Sequence, residues 1–151
     1  MHQMIWNEYT SKIRAVISEL GRRGVLIGRV PIHFIRKGNK GTIHTEFPHL
    51  TFKDGAYLEV LENITLVEKQ VQVSFYKYQY MRPYGYFFRY EKEPTDNPIW
   101  KPEEHLHVAL DVPHFNAPFV TLEDVLLLIE INFYAEANLE NIVGTRLEML
   151  I

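Results

Sequence analysis

Apolar residues recur every three or four positions at the start of the chain, which predicts an amphipathic helix. The pattern stops at Gly21 and Gly24, which indicate the end of that helix. Arg22 and Arg23 lie at the same point, where positive charge is favourable at a helix carboxyl terminus. The apolar stripe consists of Ile5, Tyr9, Ile13, Val16, Ile17 and Leu20.

From Val25 onward the apolar residues follow the pattern of β-strands. Pro31 interrupts the first β-rich segment and marks an edge, a bulge or a break. Asp54-Gly55, between two β-prone runs, is the strongest hairpin signal in the chain. After this hairpin, alternation and turn residues predict a meander of strands at 56–66, 71–81, 86–90 and 105–108.

Thr121-Leu122-Glu123-Asp124 has the form of a capping box and predicts the start of a second helix. The helix continues through the apolar run 125–129, so it is either buried all round or faces another subunit. For this reason we expect a homodimer. The pattern after Asn132 leaves open whether the tail is a helix or a strand.

The order of one helix, several strands and a second helix predicts an α+β fold. We expect a meandering antiparallel β-sheet packed by an N-terminal and a C-terminal helix. The length of 151 residues fits a single domain, 1–151. A hydrophobic fraction of 46% with 23% charged residues is typical of a folded protein rather than a disordered one.

Composition excludes several kinds of site. The chain has no cysteine, which rules out disulfides, cysteine-ligated metals and thiol nucleophiles. Its longest dense apolar run, 125–129, is far shorter than the roughly 20 residues of a membrane-spanning helix. The amino terminus lacks the features of a signal peptide. We therefore expect a cytoplasmic protein that does not contact a membrane, and we expect no cofactor.

Charge is distributed unevenly along the chain. Between Lys12 and Lys40 there are eight lysines and arginines against the single acid Glu19, a net charge of +7, whereas the whole chain carries −3. This asymmetry predicts a basic face for an anionic partner such as RNA. The alternative is that ordinary solvated charges are unevenly distributed along the chain by chance.

Aromatic residues are concentrated in two neighbouring predicted strands. Tyr76, Tyr78 and Tyr80 share one face of their strand, and strict alternation would put Val71 and Val73 on the opposite face. A face of tyrosines with nearby cations can stack bases and hold phosphates. The alternative is cross-strand aromatic packing beneath a helix. The candidate substrate-binding residues are Tyr76, Tyr78, Tyr90 and Lys77.

His105 and His107 flank one residue of a predicted strand, so both rings point to the same face, roughly 6.5–7 Å apart along the strand. The pair could share a metal ion, or act as acid and base on a phosphodiester. Since the spacing matches no strong metal signature, we predict no metal. The plainer alternative is two partly exposed histidines hydrogen-bonded to neighbouring strands. The nearest candidates for a third metal ligand are Glu103, Glu104 and Asp111.

Arg89 lies within the aromatic cluster, where a guanidinium can stack on a ring or bind a phosphate. An ion pair with Glu91 or Glu59 is the structural alternative. A glycine-rich phosphate loop, Gly-x-Ser-x-Gly and His-Glu-x-x-His are all absent, so nucleotide hydrolysis, dinucleotide binding and serine hydrolysis are unsupported. The remaining histidines have no partners at informative intervals: His2, His33, His44, His49 and His114.

Several short motifs together resemble the TumE-like proteins, which are encoded in bacterial and archaeal toxin–antitoxin pairs. The resemblance covers about residues 50–131 and does not include the helix and basic segment of 1–49. The motifs, in chain order, are Asp54-Gly55-x-x-Leu58-x-Val60, Tyr78-x-Tyr80, Phe88-Arg89-Tyr90 before Pro94, His105-Leu106-His107-Val108 and Val120-Thr121-Leu122-Glu123-Asp124-Val125.

This resemblance implies a toxin whose cognate antitoxin, usually a helix-turn-helix protein, binds and silences it. The positions that match recurring polar residues of the family are Tyr80, Arg89, Tyr90, His105 and His107. The chain departs from the family at Thr95-Asp96 and at Glu103-Glu104, where members often carry histidines.

The residue pattern and the resemblance together suggest a metal-independent ribonuclease. One histidine would take the 2′-hydroxyl proton, the other would protonate the leaving oxygen, and Arg89 would stabilise the pentavalent phosphate. The alternative is a degenerate family member that is a non-catalytic protein-binding or regulatory module and dimerises through its last helix. The acidic segment 91–111 favours this alternative because it would repel a phosphate backbone. The candidate catalytic residues are His105, His107, Arg89 and Tyr80.

Overall fold

The computed structural model describes residues 4–135 and has an α+β architecture, as the pattern predicts. Helix α1 (Trp6–Arg22) precedes the sheet; α2 (Leu122–Ile129) and a π-helical turn (Glu130–Tyr134) follow it. The strands are β1 (Ile32–Lys37), β2 (Lys40–Thr45), β3 (Leu50–Thr51), β4 (Tyr57–Val67), β5 (Gln70–Met81), β6 (Phe87–Lys92), β7 (Glu104–Val108) and β8 (Phe115–Asn116).

The strands form one antiparallel sheet in the order β1-β2-β4-β5-β6-β7-β8, with β3 paired to β4. Neighbours in the sheet are therefore neighbours in the chain, apart from β3, and the predicted meander is confirmed. β1 begins directly after Pro31, so that proline marks a break between the loop and the strand. Within residues 4–135, no helix combines the length and apolar composition that a membrane span needs.

Helix α1 packs its predicted stripe onto the sheet. Ile13, Ile17 and Leu20 are buried, in agreement with the pattern. At the amino-terminal end the buried residue is Trp6 rather than Ile5, which is 51% exposed and forms an isolated bridge with a strand. Thus the stripe is correct over most of the helix and shifts by one residue at its start.

Helix α2 begins with the predicted capping box. The Thr121 hydroxyl accepts from the Asp124 backbone N–H, and the Asp124 carboxylate accepts from the Thr121 N–H. Most of the apolar run is buried, whereas Leu127 and Ile131 are each 57% exposed. The first residues of the tail after Asn132 belong to the π-helical turn, and 136–151 lie outside the described residues.

A β-bulge changes the alternation of β5. The inner face of β4 carries every second residue, as predicted, from Leu58 to Leu66. The β4–β5 register shifts at Asn63/Ile64, leaving Ser74 as the extra residue on β5. Strict alternation is therefore wrong here: Val71 and Val73 are inward-facing, on the same side as the tyrosines that follow the bulge.

The inner face also contains a buried carboxyl group. Glu62 is fully buried, and the Tyr9 hydroxyl of α1 donates a hydrogen bond to it. Tyr78 lies against the same carboxyl group. Desolvation raises the pKa of Glu62 to about 7, although both tyrosines counteract this effect by hydrogen bonding to the charged form.

Gly41 of β2 lies against the indole ring of Trp6. A Cβ atom at this position would lie 2.9 Å from Cη2 of Trp6 and closer still to Cζ3. We expect Gly41→Ala to lower the free energy of unfolding by about 1–3 kcal/mol, because the buried ring must move. Urea unfolding measures the change.

Gly21→Ala is the matched control for this prediction. Gly21 lies in α1 and has no atom within 4 Å of the added methyl group, so we expect equal or higher stability, by up to about 1 kcal/mol. Equal stability of Gly41→Ala and the wild-type protein would contradict close packing of Trp6 on β2.

The Glu62 carboxyl group makes stability depend on pH. Its pKa is raised to about 7 in the folded state, so the folded chain binds an extra proton between the unfolded pKa, about 4.3, and 7. The contribution of this group to the free energy of unfolding is therefore fully present below about pH 4 and is lost as the pH rises through 7.

We expect the free energy of unfolding of the wild type to fall relative to Glu62→Gln by up to about 3 kcal/mol from pH 4.5 to 8. The glutamine cannot ionise, while all other titrating groups are common to both proteins. Urea unfolding at several pH values tests the difference. Parallel pH curves for the two proteins would contradict a raised pKa at Glu62.

Candidate functional site

The candidate site lies on the outer face of the sheet, opposite the helices. Antiparallel register pairs Arg89 with His107 and Glu91 with His105 across β6 and β7. Because side chains alternate between faces, the four lie on the same side. Lys77 of β5 is the register partner of Glu91, so its side chain lies on the same face as these four.

His105 and His107 are held by backbone carbonyl groups. His105 Nδ1 lies 2.7 Å from the carbonyl oxygen of Pro102, and His107 Nδ1 lies 2.9 Å from that of Asp111. A carbonyl oxygen only accepts, so each Nδ1 carries the proton and donates it. In the neutral ring, Nε2 then carries a lone pair and is available as a ligand.

His114, from the segment between β7 and β8, is the third histidine of the site. Its ring centroid lies 5.0 Å from that of His105 and 4.7 Å from that of His107, and it packs edge-on against Trp100 at 4.5 Å. One ring nitrogen from each of the three histidines lies within 4.8 Å of the other two. We call these residues the histidine cluster.

Three ring nitrogens of the cluster lack hydrogen-bond partners. His105 Nε2, His107 Nε2 and His114 Nδ1 are buried, and nothing in residues 4–135 donates to them or accepts from them. His105 and His107 are at most 2% exposed. Leaving a buried polar atom unsatisfied costs about 1–3 kcal/mol, so three together mark a place that a group from outside the described residues would stabilise.

Two acidic residues border the cluster. Glu91 Oε2 lies 3.3 Å from His105 Nε2 and 3.8 Å from His107 Nε2, and Glu93 Oε1 lies 3.8 Å from His105 Nε2. Arg89 forms an ion pair with Oε1 of Glu91, which leaves Oε2 directed at the histidines. Lys101 binds Glu93 at 2.5 Å.

Electrostatics at the site favour neutral imidazoles at His107 and His114 and an ionised carboxylate at Glu91. Burial alone would raise the pKa of Glu91, but the adjacent His105 ring and the charge of Arg89 outweigh it and lower the pKa to about 2. Burial and the charge of Arg89 lower the pKa of His107. Burial also lowers the pKa of His114, and His105 adds to this effect. These are the protonation states in which histidine and glutamate bind metal ions.

The predicted site residues are divided between the two faces of the sheet. His105, His107, Arg89 and Lys77 lie on the outer face, where Lys77 forms an ion pair with Glu59 at 2.9 Å. The predicted tyrosines lie on the inner face, at most 1% exposed: Tyr76, Tyr78, Tyr80 and Tyr90. Tyr80 is therefore separated from the histidines by the sheet itself.

The inner-face tyrosines pack as the alternative interpretation describes. Tyr76 and Tyr78 stack with centroids 4.9 Å apart, and Tyr76 Oη accepts from the Val120 N–H at 3.2 Å. Tyr80 Oη shares a hydrogen bond with Tyr134 at 2.7 Å. A base could stack on these rings only after displacing core residues, because protein atoms already cover them.

The basic segment lies away from the histidine cluster. Its residues belong to α1, to the loop between α1 and β1, and to strands β1 and β2. The cluster, in contrast, is built on β6, β7 and the loops beside those two strands. Some of its cations already have acidic partners: Arg22 pairs with Glu19, and Arg23 with Glu130 at 2.7 Å.

Sequence reasoning missed His114 as a member of the site and gave Glu91 only as a possible ion-pair partner of Arg89, a pairing that the structure shows. His114 lies seven residues after His107, and this third histidine following His-x-His is the available signal. It replaces Glu103, Glu104 and Asp111, the predicted candidates for a third ligand. Glu91 joins through the β6–β7 register, which no local pattern reveals.

No family model, curated protein or solved structure matches the chain. Its function is therefore inferred from the chemistry of the described residues.

Proposed function

We propose that this protein binds a divalent transition-metal ion, with Zn²⁺ as the best-fitting ion, at the histidine cluster. The main observation is that His105, His107 and His114 of the described chain each bring a ring nitrogen within 4.8 Å of the other two. Each of the three rings also has a buried nitrogen without a hydrogen-bond partner among the described residues. Nitrogen donors of this kind suit zinc, copper, iron and nickel.

A bound cation explains the local arrangement better than protons do. One proton on His105 Nε2 would satisfy its contact with Glu91 but would leave the nitrogens of His107 and His114 unsatisfied. A metal ion accepts lone pairs from all three nitrogens at once. Glu91 Oε2, which lies near His105 and His107, would be the candidate for a fourth donor of the type found in tetrahedral zinc sites.

The surrounding hydrogen bonds are those that support metal ligands. Ligating histidines commonly donate their other ring N–H to a backbone carbonyl, which fixes the tautomer and the orientation of the ring. Pro102 and Asp111 provide such carbonyls to His105 and His107. The proposed metal site differs from the metal-independent site expected from the sequence, because only the tertiary structure brings His114 next to His105 and His107.

We expect the full-length protein, after dialysis against a chelator, to bind one Zn²⁺ per chain. At free Zn²⁺ of about 100 times Kd, binding should stabilise the fold by about 2.7 kcal/mol and raise the Tm. His114→Ala should weaken binding by about 100-fold or more. Calorimetric titration and thermal unfolding measure both effects.

His44→Ala is the matched control, since His44 lies on β2 and pairs with His33 far along the sheet. It should bind Zn²⁺ as the wild type does. A wild-type protein that binds neither Zn²⁺ nor Co²⁺, Ni²⁺, Mn²⁺ or Fe²⁺, or a His114→Ala variant with unchanged affinity, would refute the metal site.

The toxin function implied by the TumE-like resemblance is a second proposal, with RNA as substrate and a cognate antitoxin as partner. Arg89 supports it, since the guanidinium lies beside the cluster and its partner Asp111 is 82% exposed. The rings of His105 and His107 are too buried to reach a 2′-hydroxyl themselves. In such a toxin they hold the site together rather than exchange protons with RNA.

We expect induced expression in bacteria to arrest growth and to cleave cellular RNA. The double variant His105→Ala/His107→Ala should abolish both effects, while His33→Ala/His44→Ala should retain them. Growth curves and total RNA from each culture are the readouts. Normal growth with soluble wild-type protein would instead favour the non-catalytic binding module.

For that alternative, the exposed apolar side chains of α2 and the turn after it are the supporting observation. Leu127 and Ile131 are each 57% exposed, and a second copy of the chain or a partner protein would cover them. We propose a homodimer and a cytoplasmic location for the protein with either function.

A further inference from the structure

A groove of about 770 Å³ opens on the inner side of the sheet, on the opposite face from the histidine cluster. It lies between the start of α1, the β4–β5 hairpin and the residues preceding α2. Its size falls within the about 300–1,000 Å³ of small-molecule sites. Its apolar lining residues are Met4, Val67, Val71, Val73, Phe119 and Val120.

The β-bulge at Ser74 creates the apolar wall of this groove. Without it, alternation would turn Val71 and Val73 to the outer face and present polar residues here. With it, Val71 lies opposite Leu66 and Val73 opposite Ile64 on the inner face. The groove therefore depends on one irregularity in the sheet.

Tyr9 and Tyr78 line the groove and both contact the buried carboxyl group of Glu62. Among the described residues, no group hydrogen-bonds to Glu62 Oε2. Burial raises the pKa of this carboxyl group to about 7. A perturbed, partly unsatisfied acid behind a concave apolar surface is a common mark of a binding site.

Two lysines in the lining of the groove are weakly paired. Lys12 lies 3.6 Å from Glu123, and Lys92 lies 3.9 Å from Glu104, whereas Lys77 and Lys101 have acidic partners within 2.9 Å. Lys92 also donates to the Val73 carbonyl oxygen at 3.3 Å.

Lys92 Nζ also lies 5.2 Å from the centroid of the Phe119 ring. An ammonium group therefore lies next to an apolar wall. The one acidic residue among the described groove-lining side chains is Glu68.

We propose that this groove binds a small amphipathic carboxylate, with its apolar chain along Val71, Val73 and Phe119 and its carboxylate on Lys12 or Lys92. A medium-chain fatty acid has this chemistry. The apolar wall excludes water from the chain, and the lysines provide a charge that their present acidic partners neutralise incompletely.

Decanoate is the probe for this site, and calorimetric titration of the full-length protein measures its binding. We expect saturable binding with one decanoate per chain. Decylamine, which has the same chain with a positive head group, should bind at least about tenfold more weakly because it faces the two lysines.

Two variants locate the probe. Lys12→Met/Lys92→Met removes the positive charge and should lower decanoate affinity about tenfold or more, whereas the surface control Lys37→Met should leave it unchanged. Val73→Trp fills the groove and should abolish binding. Thermal unfolding of each variant without ligand shows independently that the fold is intact.

Absence of decanoate binding at millimolar concentration would overturn the proposal. Equal binding by decylamine, or by Lys12→Met/Lys92→Met, would refute recognition of a carboxylate. Unchanged binding by Val73→Trp would place the probe elsewhere. Since none of these readouts uses metal binding or toxicity, they test the proposal for the groove independently of the proposal for the histidine cluster.

Discussion

The pairing of β4 with β5 determines what each face of this sheet carries. The two strands form the longest ladder of the fold, and every strand outward from β5 takes its register from it. A shift of one residue exchanges the faces of all later side chains. The bulge at Ser74 is such a shift confined to one end of β5, so it reverses Val71 and Val73 while the tyrosines keep their place.

The sheet separates two chemical environments. Its inner face is aromatic and aliphatic, and its polar atoms include the buried carboxyl group of Glu62 and phenol groups with partners inside the core, such as Tyr80 with Tyr134. Its outer face, near β6 and β7, has alternating positive and negative groups around three histidines. Loops close over this face, since the carbonyl groups of Pro102 and Asp111 bind the rings of His105 and His107. Side chains are therefore buried on both faces, by apolar packing on the inner face and by hydrogen bonds and ion pairs on the outer face.

The outer-face cluster places unfavourable interactions close together. Desolvated nitrogen lone pairs beside a carboxylate repel one another and have no donor to satisfy them. The cation proposed for this site would make these interactions favourable, and backbone contacts already orient the rings of His105 and His107 for it. The same arrangement makes direct proton transfer to RNA by the histidines unfavourable, since solvent barely reaches them.

Local patterns in the sequence determined the elements of this protein. The helix stripe of α1, the capping box at Thr121 and the alternation of β4 each follow from neighbouring residues, and so does the shared face of His105 and His107. Such features depend on backbone geometry that repeats over two to four residues, which a single chain segment displays by itself.

Only the tertiary structure decided which of these elements form a site. Alternation correctly grouped Tyr76, Tyr78 and Tyr80, but only packing against the helices showed that this face is the core. The bulge at Ser74 arises from pairing between strands. Glu91 reaches the histidines through strand register, and His114 reaches them through a loop that folds back over β7. These contacts join residues distant in the chain, so their energies are absent from any local pattern.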